Sequence, residues 1–281
     1  MNRRLFLLVA LWWVGIASAA EMTAATEPPP NPGTALITGS DRGIGLALTR
    51  EFVSRGWQVI ATCRDPEKAT DLKSLASEHS TVSIEKLDVS DDAAINTLVT
   101  KLKGRPIDAL VNNAGVTGDF GAQTLAGLDS NEFSRVLRIN SYAPLRVSAA
   151  FLKLVVASKQ RKIIAISSGY GSVSSVEKIA SYGYPAAYFY AMSKAALNMG
   201  MREFAFEAAH SQVITVLLAP GAVDTDMQRG IRDHMAKIGK PISAPVITPE
   251  ASAHSMVLLI EQLKLDQNAK FLSRDGSEIP W

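Results

Sequence analysis

From Thr34 onward the sequence alternates short apolar runs with stretches of 3.6-residue periodicity. That alternation restricts the fold more than any other feature. The runs lie at residues 35–38, 58–62, 82–87, 109–111, 162–167, 213–218 and 270–272. Between them, residues 44–54, 67–78, 91–103, 130–158, 187–209 and 249–263 carry one apolar face each, the mark of amphipathic helices. The last helix opens with Thr248 as N-cap and Pro249 at its first position. Continuous Val/Ile/Leu strands separated by helices require a parallel sheet covered on both faces. The expectation is a single Rossmann-type, doubly wound α/β domain over residues 34–281. Its length of about 248 residues is ample for a full apolar core. The chain has one Cys, which excludes an internal disulfide, and four scattered His in no ligand pattern, so no metal is expected.

The first 33 residues break this pattern. Arg3 and Arg4 precede an apolar stretch over residues 5–17, followed by the small-residue sequence Ala17-Ser18-Ala19. Residues 1–20 therefore read as a secretory signal peptide, too short for a comfortable membrane span. An uncleaved anchor and a start at Met22 are the alternatives. Residues 21–33, with Pro28, Pro29, Pro30 and Pro32, read as an extended linker. Export implies an extracytoplasmic location, and a start at Met22 implies a cytoplasmic one. The leader also holds the charge imbalance. The net +2 of the chain equals its two arginines, so the chain after residue 20 is neutral and no nucleic-acid partner is expected. Once the leader is cleaved, no stable membrane association is expected either.

Directly after the first strand stands Gly39-Ser40-Asp41-Arg42-Gly43-Ile44-Gly45, opening the first helix. Gly39 allows a tight turn, Gly43 lets a pyrophosphate approach the backbone, and Gly45 allows helix and strand to close up. The helix N-terminus presents free N–H groups to phosphates. The second strand ends at Cys63-Arg64, without the acid that usually grips the ribose of NAD. Arg64 and Arg42 suit a 2′-phosphate, which favours NADP over NAD. Pairing of Arg64 with Asp65 and Glu67 is the competing reading. Asp88-Val89 closes the third strand, where a carboxylate can accept from an adenine amino group. Asn112-Asn113-Ala114-Gly115 closes the fourth with a small turn able to lie against a cofactor.

At the chemistry end, Tyr190 and Lys194 sit four apart and share a helix face. A neighbouring ammonium is expected to lower the phenol from its ordinary value near 10. A Ser at the end of the fifth strand can hydrogen-bond a carbonyl oxygen. The set resembles the short-chain dehydrogenase/reductase family over residues 34–281, and within it the C-factor-like carbonyl reductases, through residues 61–69 and the closing Ile279-Pro280-Trp281. The resemblance implies a catalytic set of Ser168, Tyr190 and Lys194, with Asn140 in the fourth helix helping to hold a relay water. It adds Pro220, Gly221, Val223 and Thr225 beside the nicotinamide, a small-molecule carbonyl substrate, and a homodimer or homotetramer. It also leaves a second possibility, a dinucleotide-binding signalling protein of C-factor type with little turnover. Twenty-one residues separate Ser168 from Tyr190, more than is usual there. Their Ser, Gly and Tyr content predicts a loop at the mouth of the pocket. Residues 226–245 are expected to cover the substrate.

Overall fold

A computed structural model of the protein describes residues 32–281. The leader and most of the linker lie outside the described residues. Seven strands form one parallel sheet. They are β1 (Thr34–Thr38), β2 (Gln58–Cys63), β3 (Val82–Lys86), β4 (Ala109–Asn112), β7 (Lys162–Ile166), β8 (Ile214–Ala219) and β9 (Phe271–Ser273). The order β3-β2-β1-β4-β7-β8-β9 winds outward in both directions from β1 and β4. That reversal opens a crevice at the carboxyl ends of the two central strands.

Alternation along each strand sends neighbouring side chains to opposite faces. In β1, Ala35 and Ile37 pack under α1 (Gly43–Ser54), α2 (Thr70–Glu78) and α9 (Pro249–Gln262), with Phe52, Leu72 and Ile260 fully buried. Leu36 points the other way, to α3 (Asp92–Lys101), α5 (Ala143–Val156) and α7 (Tyr188–Ala208), where Ile95, Phe151 and Met201 fill the core. Each such large side chain contributes roughly 1.5–3 kcal/mol by leaving water.

The expected strands all form, with no end shifted by more than one residue. The helices are cut more finely than periodicity predicts. Pro66–Lys68 is a separate tight turn, because Ala69 leaves helical backbone geometry before α2 begins. Residues 130–158 hold two helices, α4 (Ser130–Leu137) and α5, joined by a wide π turn over Arg138–Tyr142. The segment expected as a pocket-mouth loop contains α6 (Val176–Ser181). The segment expected to cover the substrate contains α8 (Asp226–Lys237), capped by Thr225. A two-stranded hairpin, β5 (Gln123–Thr124) with β6 (Gly127–Leu128), was not expected at all.

The amino ends of the strands are tied by an ionic knot. Glu261 accepts from Arg55 Nε and Trp57 Nε1, both at 2.9 Å. Lys162 Nζ donates to the Glu261 carbonyl and to Gln160 Oε1, also at 2.9 Å.

Candidate active site

Six strand ends supply the site, those of β1, β2, β3, β4, β7 and β8. At the first, Thr38 Oγ1 accepts from the N–H groups of Asn113 (3.0 Å) and Ala114 (3.1 Å), while Asn113 Nδ2 donates back to the carbonyls of Thr38 (2.9 Å) and Gly39 (3.0 Å). These bonds lace the turns after β1 and β4 into one rigid floor, as the Asn-rich turn predicts. Gly39 (φ +68°) and Gly43 (φ +54°) occupy left-handed backbone that only glycine adopts freely. The N-cap of α1, Arg42, makes no side-chain cap bond, and the first turn holds no acid. Its N–H groups therefore face a cavity of about 990 Å³ that runs from Arg64 to Tyr190. An uncapped helix N-terminus beside two arginines is a donor set for phosphate groups. The residues present fit a dinucleotide.

Arg42, Gly43, Ile44, Gly45, Arg64, Asp88, Val89, Asn113, Ala114, Gly115, Pro220 and Thr225 all line this cavity with Gly39. Among the described residues Arg64 makes no ion pair; Asp65 pairs with Lys68 (2.8 Å) and Glu67 with Lys73 (3.1 Å), so the competing surface pairing is taken by lysines. Arg42 lies 3.7 Å from Asp226, with both side chains about two-thirds exposed. Burial pushes the Asp88 carboxyl up, but two hydrogen bonds from Ser90 and the charge of Arg64 outweigh it and hold it below its ordinary value.

Five expected residues do not line the cavity: Ser40, Asn140, Ser168, Gly221 and Val223. Ser40 is fully buried, its hydroxyl donating to the Ile37 carbonyl at 3.0 Å. Val223 is buried and bridges to Ile247, and the Cβ position of Gly221 faces Arg274 and Ile247. Asn140 lies in the π turn rather than in a regular helix. Its Oδ1 accepts from Val116 N (2.9 Å), and its Nδ2 donates to Val116 O (2.7 Å) and Ser193 Oγ (2.9 Å). Its amide is occupied in fixing the backbone beside Gly115.

Tyr190 and Lys194 come together as their spacing requires, with the ammonium 5.7 Å from the ring centroid. Lys194 Nζ donates instead to the Ile166 carbonyl at 2.8 Å. Burial depresses this lysine to about 8. Burial also pushes the Tyr190 phenol above its ordinary value, and a hydrogen bond with Ser168 only partly draws it back. The expected lowering of the phenol by Lys194 is therefore corrected: desolvation wins, and the ammonium is aimed at a backbone carbonyl. Ser168 Oγ also accepts from Tyr170 N at 3.3 Å. Its neighbour Ser167 lines the cavity with Tyr190, but its hydroxyl is spent on Asn198 Oδ1 at 2.6 Å.

The sequence profile of the short chain dehydrogenase family matches residues 33–236. The chain belongs to that family. An uncharacterized oxidoreductase of Schizosaccharomyces pombe is 32% identical over 255 residues, covering 87% of this chain and 96% of the relative. The C-signal protein of Myxococcus xanthus is 35% identical over 176 residues, covering 63% of this chain and 93% of its own. Among solved structures, the NADPH-bound carbonyl reductase from chicken fatty liver superposes with a TM-score of 0.77 at 31% identity. That match covers 88% of this chain and 98% of the reductase. The short-chain dehydrogenase is thus an NAD(P)-dependent oxidoreductase.

Several residues packed around the dehydrogenase's site gave no sequence signal. Gln123 is buried on the new hairpin; its Nε2 donates to the carbonyls of Thr117 and Asp119, and its Oε1 takes the Phe189 N–H that starts α7. Tyr170 sets its ring edge-on to Tyr190 (5.6 Å) and Tyr184 (6.2 Å). Tyr184 Oη accepts from Gln228 of α8 at 3.0 Å. An isolated polar or aromatic residue in a loop carries no periodic pattern, so only burial reveals it.

Proposed function

We propose that the dehydrogenase is an NADP-dependent carbonyl reductase with Tyr190 as its general acid. The carrying observation is that one continuous cavity joins the uncapped N-terminus of α1, with Arg42 and Arg64, to Tyr190 and Lys194. Gly39, Gly43 and the α1 N–H groups would hold the pyrophosphate, the two arginines the 2′-phosphate, and Asn113 to Gly115 with Thr225 the nicotinamide half. The bound cofactor supplies a hydride to the carbonyl carbon. Ser168 orients the carbonyl oxygen by a hydrogen bond. Tyr190 passes its phenolic proton to that oxygen as negative charge develops there, and the product is an alcohol. A phenol held above its ordinary value arrives protonated at neutral pH, as the reducing direction requires. Lys194 places a positive charge beside the phenolate that this transfer leaves. The NADPH in the chicken reductase supports the same choice of cofactor.

Tyr190→Phe should lower carbonyl-dependent NADPH oxidation by about 10²–10⁴-fold, the usual worth of a general acid. NADPH affinity, read by cofactor fluorescence, should hardly move. Undiminished turnover in that variant would refute the role given to the phenol. The half-exposed Met192, Met199 and Phe206 of α7 support pairing of two copies through that helix. Export by the leader is the reading we carry for location, and N-terminal sequencing of native protein tests it.

A further inference from the structure

The reaction proposed above leaves the closing residues Ile279-Pro280-Trp281 without a part, yet they return to the segment that follows Ser168. Ile279 N donates to the Phe271 carbonyl at 2.8 Å, and Glu278 bridges antiparallel to Leu272, so the tail runs back along edge strand β9. Trp281 then leans on the Phe271 ring, with centroids 5.5 Å apart, and takes the Arg202 guanidinium over its face at 4.6 Å. From this anchored position two carbonyls meet two serines. Pro280 O accepts from Ser172 Oγ at 2.6 Å, and Trp281 O accepts from Ser174 N (3.2 Å) and Oγ (2.7 Å). Ser172 is 1% exposed, so its bond has almost no competition from water.

The opposite side of the same segment is held by α7. Asn198 Nδ2 donates to the Gly171 carbonyl at 3.0 Å, and a Cβ on Gly171 would stand 2.9 Å from the Lys194 carbonyl. Residues 168–175 are therefore clamped between the helix that carries Tyr190 and the tail. Their own backbone bonds are three-residue turns such as Gly171 N to Ser168 O, a geometry that is weak without outside support. Tyr170, inside the clamp, presses its ring on Tyr190 and donates its hydroxyl to the Pro185 carbonyl at 2.9 Å, which ties in the far end of the loop.

We propose that Pro280 and Trp281 are positioning residues for the carbonyl substrate: by holding Ser172 and Ser174 they fix Tyr170, and through it the side of the pocket next to Tyr190. The inference rests on the carbonyl-reductase reading. It differs from a purely structural role, because the Arg42 and Arg64 end of the cavity lies across the sheet from the tail and should not respond.

The test uses the full chain and the variants Trp281→Ala, Trp281→Phe and Ser172→Ala, assayed by NADPH oxidation over a panel of aldehydes, ketones and quinones. Trp281→Ala and Ser172→Ala should each raise the carbonyl KM about fivefold or more while kcat stays within about twofold, the signature of lost substrate positioning. NADPH affinity should be unchanged, and Trp281→Phe, which keeps a ring on Phe271, should recover most of the loss. In parallel, trypsin cleavage after the exposed Lys178 of α6 should quicken in Trp281→Ala, because the clamp no longer holds the loop. A lowered Tm with unchanged carbonyl KM would overturn the proposal and leave the tail a structural brace. If the unaltered protein turned over nothing in the panel, the reductase reading would fail by itself. The Lys178 cleavage rate would then decide alone, with an unchanged rate overturning the clamp.

Discussion

A single methyl group added at position 45 would stand 1.9 Å from the Gly39 carbonyl oxygen, so the closeness of α1 to β1 depends on glycine there. This contact was legible from the sequence, since glycines between a strand and a helix have few other uses. The two arginines were legible too, as an absence of acid after β2. Among the described residues Arg42 is held by an exposed pair with Asp226, worth under about 1 kcal/mol, so turning it toward a phosphate is cheap. Replacing Arg42 and Arg64 together by Ala should raise the KM for NADPH by about 10–100-fold and leave that for NADH within about threefold. Equal losses for the two cofactors would defeat the assignment. The Tyr190 phenol was misread, because spacing on a helix shows that a lysine is near but not where its ammonium points. Lys194, depressed to about 8, is charged below that pH and neutral above it. Carbonyl reduction should therefore hold its kcat/KM up to about pH 8 and fall beyond. A profile that stays flat through pH 9.5 would remove Lys194 from the chemistry.

At the level of elements, periodicity located every strand of the seven-stranded sheet but merged helices that the chain separates. The π turn between α4 and α5 explains why. One extra residue leaves the apolar stripe nearly continuous while moving Asn140 inward to pair with the Val116 backbone. Such bulges recur where a side chain must be re-aimed. The β5–β6 hairpin was invisible for another reason. Two strands of two residues each hold no pattern, and the hairpin's Gln123 accepts from Phe189 N in the first turn of α7, where Ala187 provides no cap bond. Gln123→Leu would strand two carbonyls and one N–H. It should destabilise the protein by about 2–4 kcal/mol in urea unfolding, as unsatisfied buried groups do. Gln123→Glu, still able to accept from Phe189 N, should lose less. Equal losses would mean that the side chain acts by packing and not by capping.

Over the whole molecule, the doubly wound sheet followed from strand character alone, whereas the ionic knot at its amino rim did not, because Arg55, Trp57, Lys162 and Glu261 come from distant parts of the chain. Burial holds Lys162 at about 8 against an ordinary 10.5. Between those values the unfolded chain binds the extra proton, so this residue makes stability rise with pH across that window. Lys162→Met lacks the term. The Tm of the unaltered protein relative to that variant should therefore increase from pH 7 to pH 9.5. A constant difference would show that the lysine titrates normally in the fold. The parallel arrangement has one more consequence. Every loop around the cavity leaves from one rim of the sheet, and the knot secures the other. Protein engineers thus have two separable sets of positions. Randomising Val116, Thr117 and Met227, which line the cavity, resets what enters it, while selection for heat resistance acts around Glu261, and gains in one library need not be surrendered in the other.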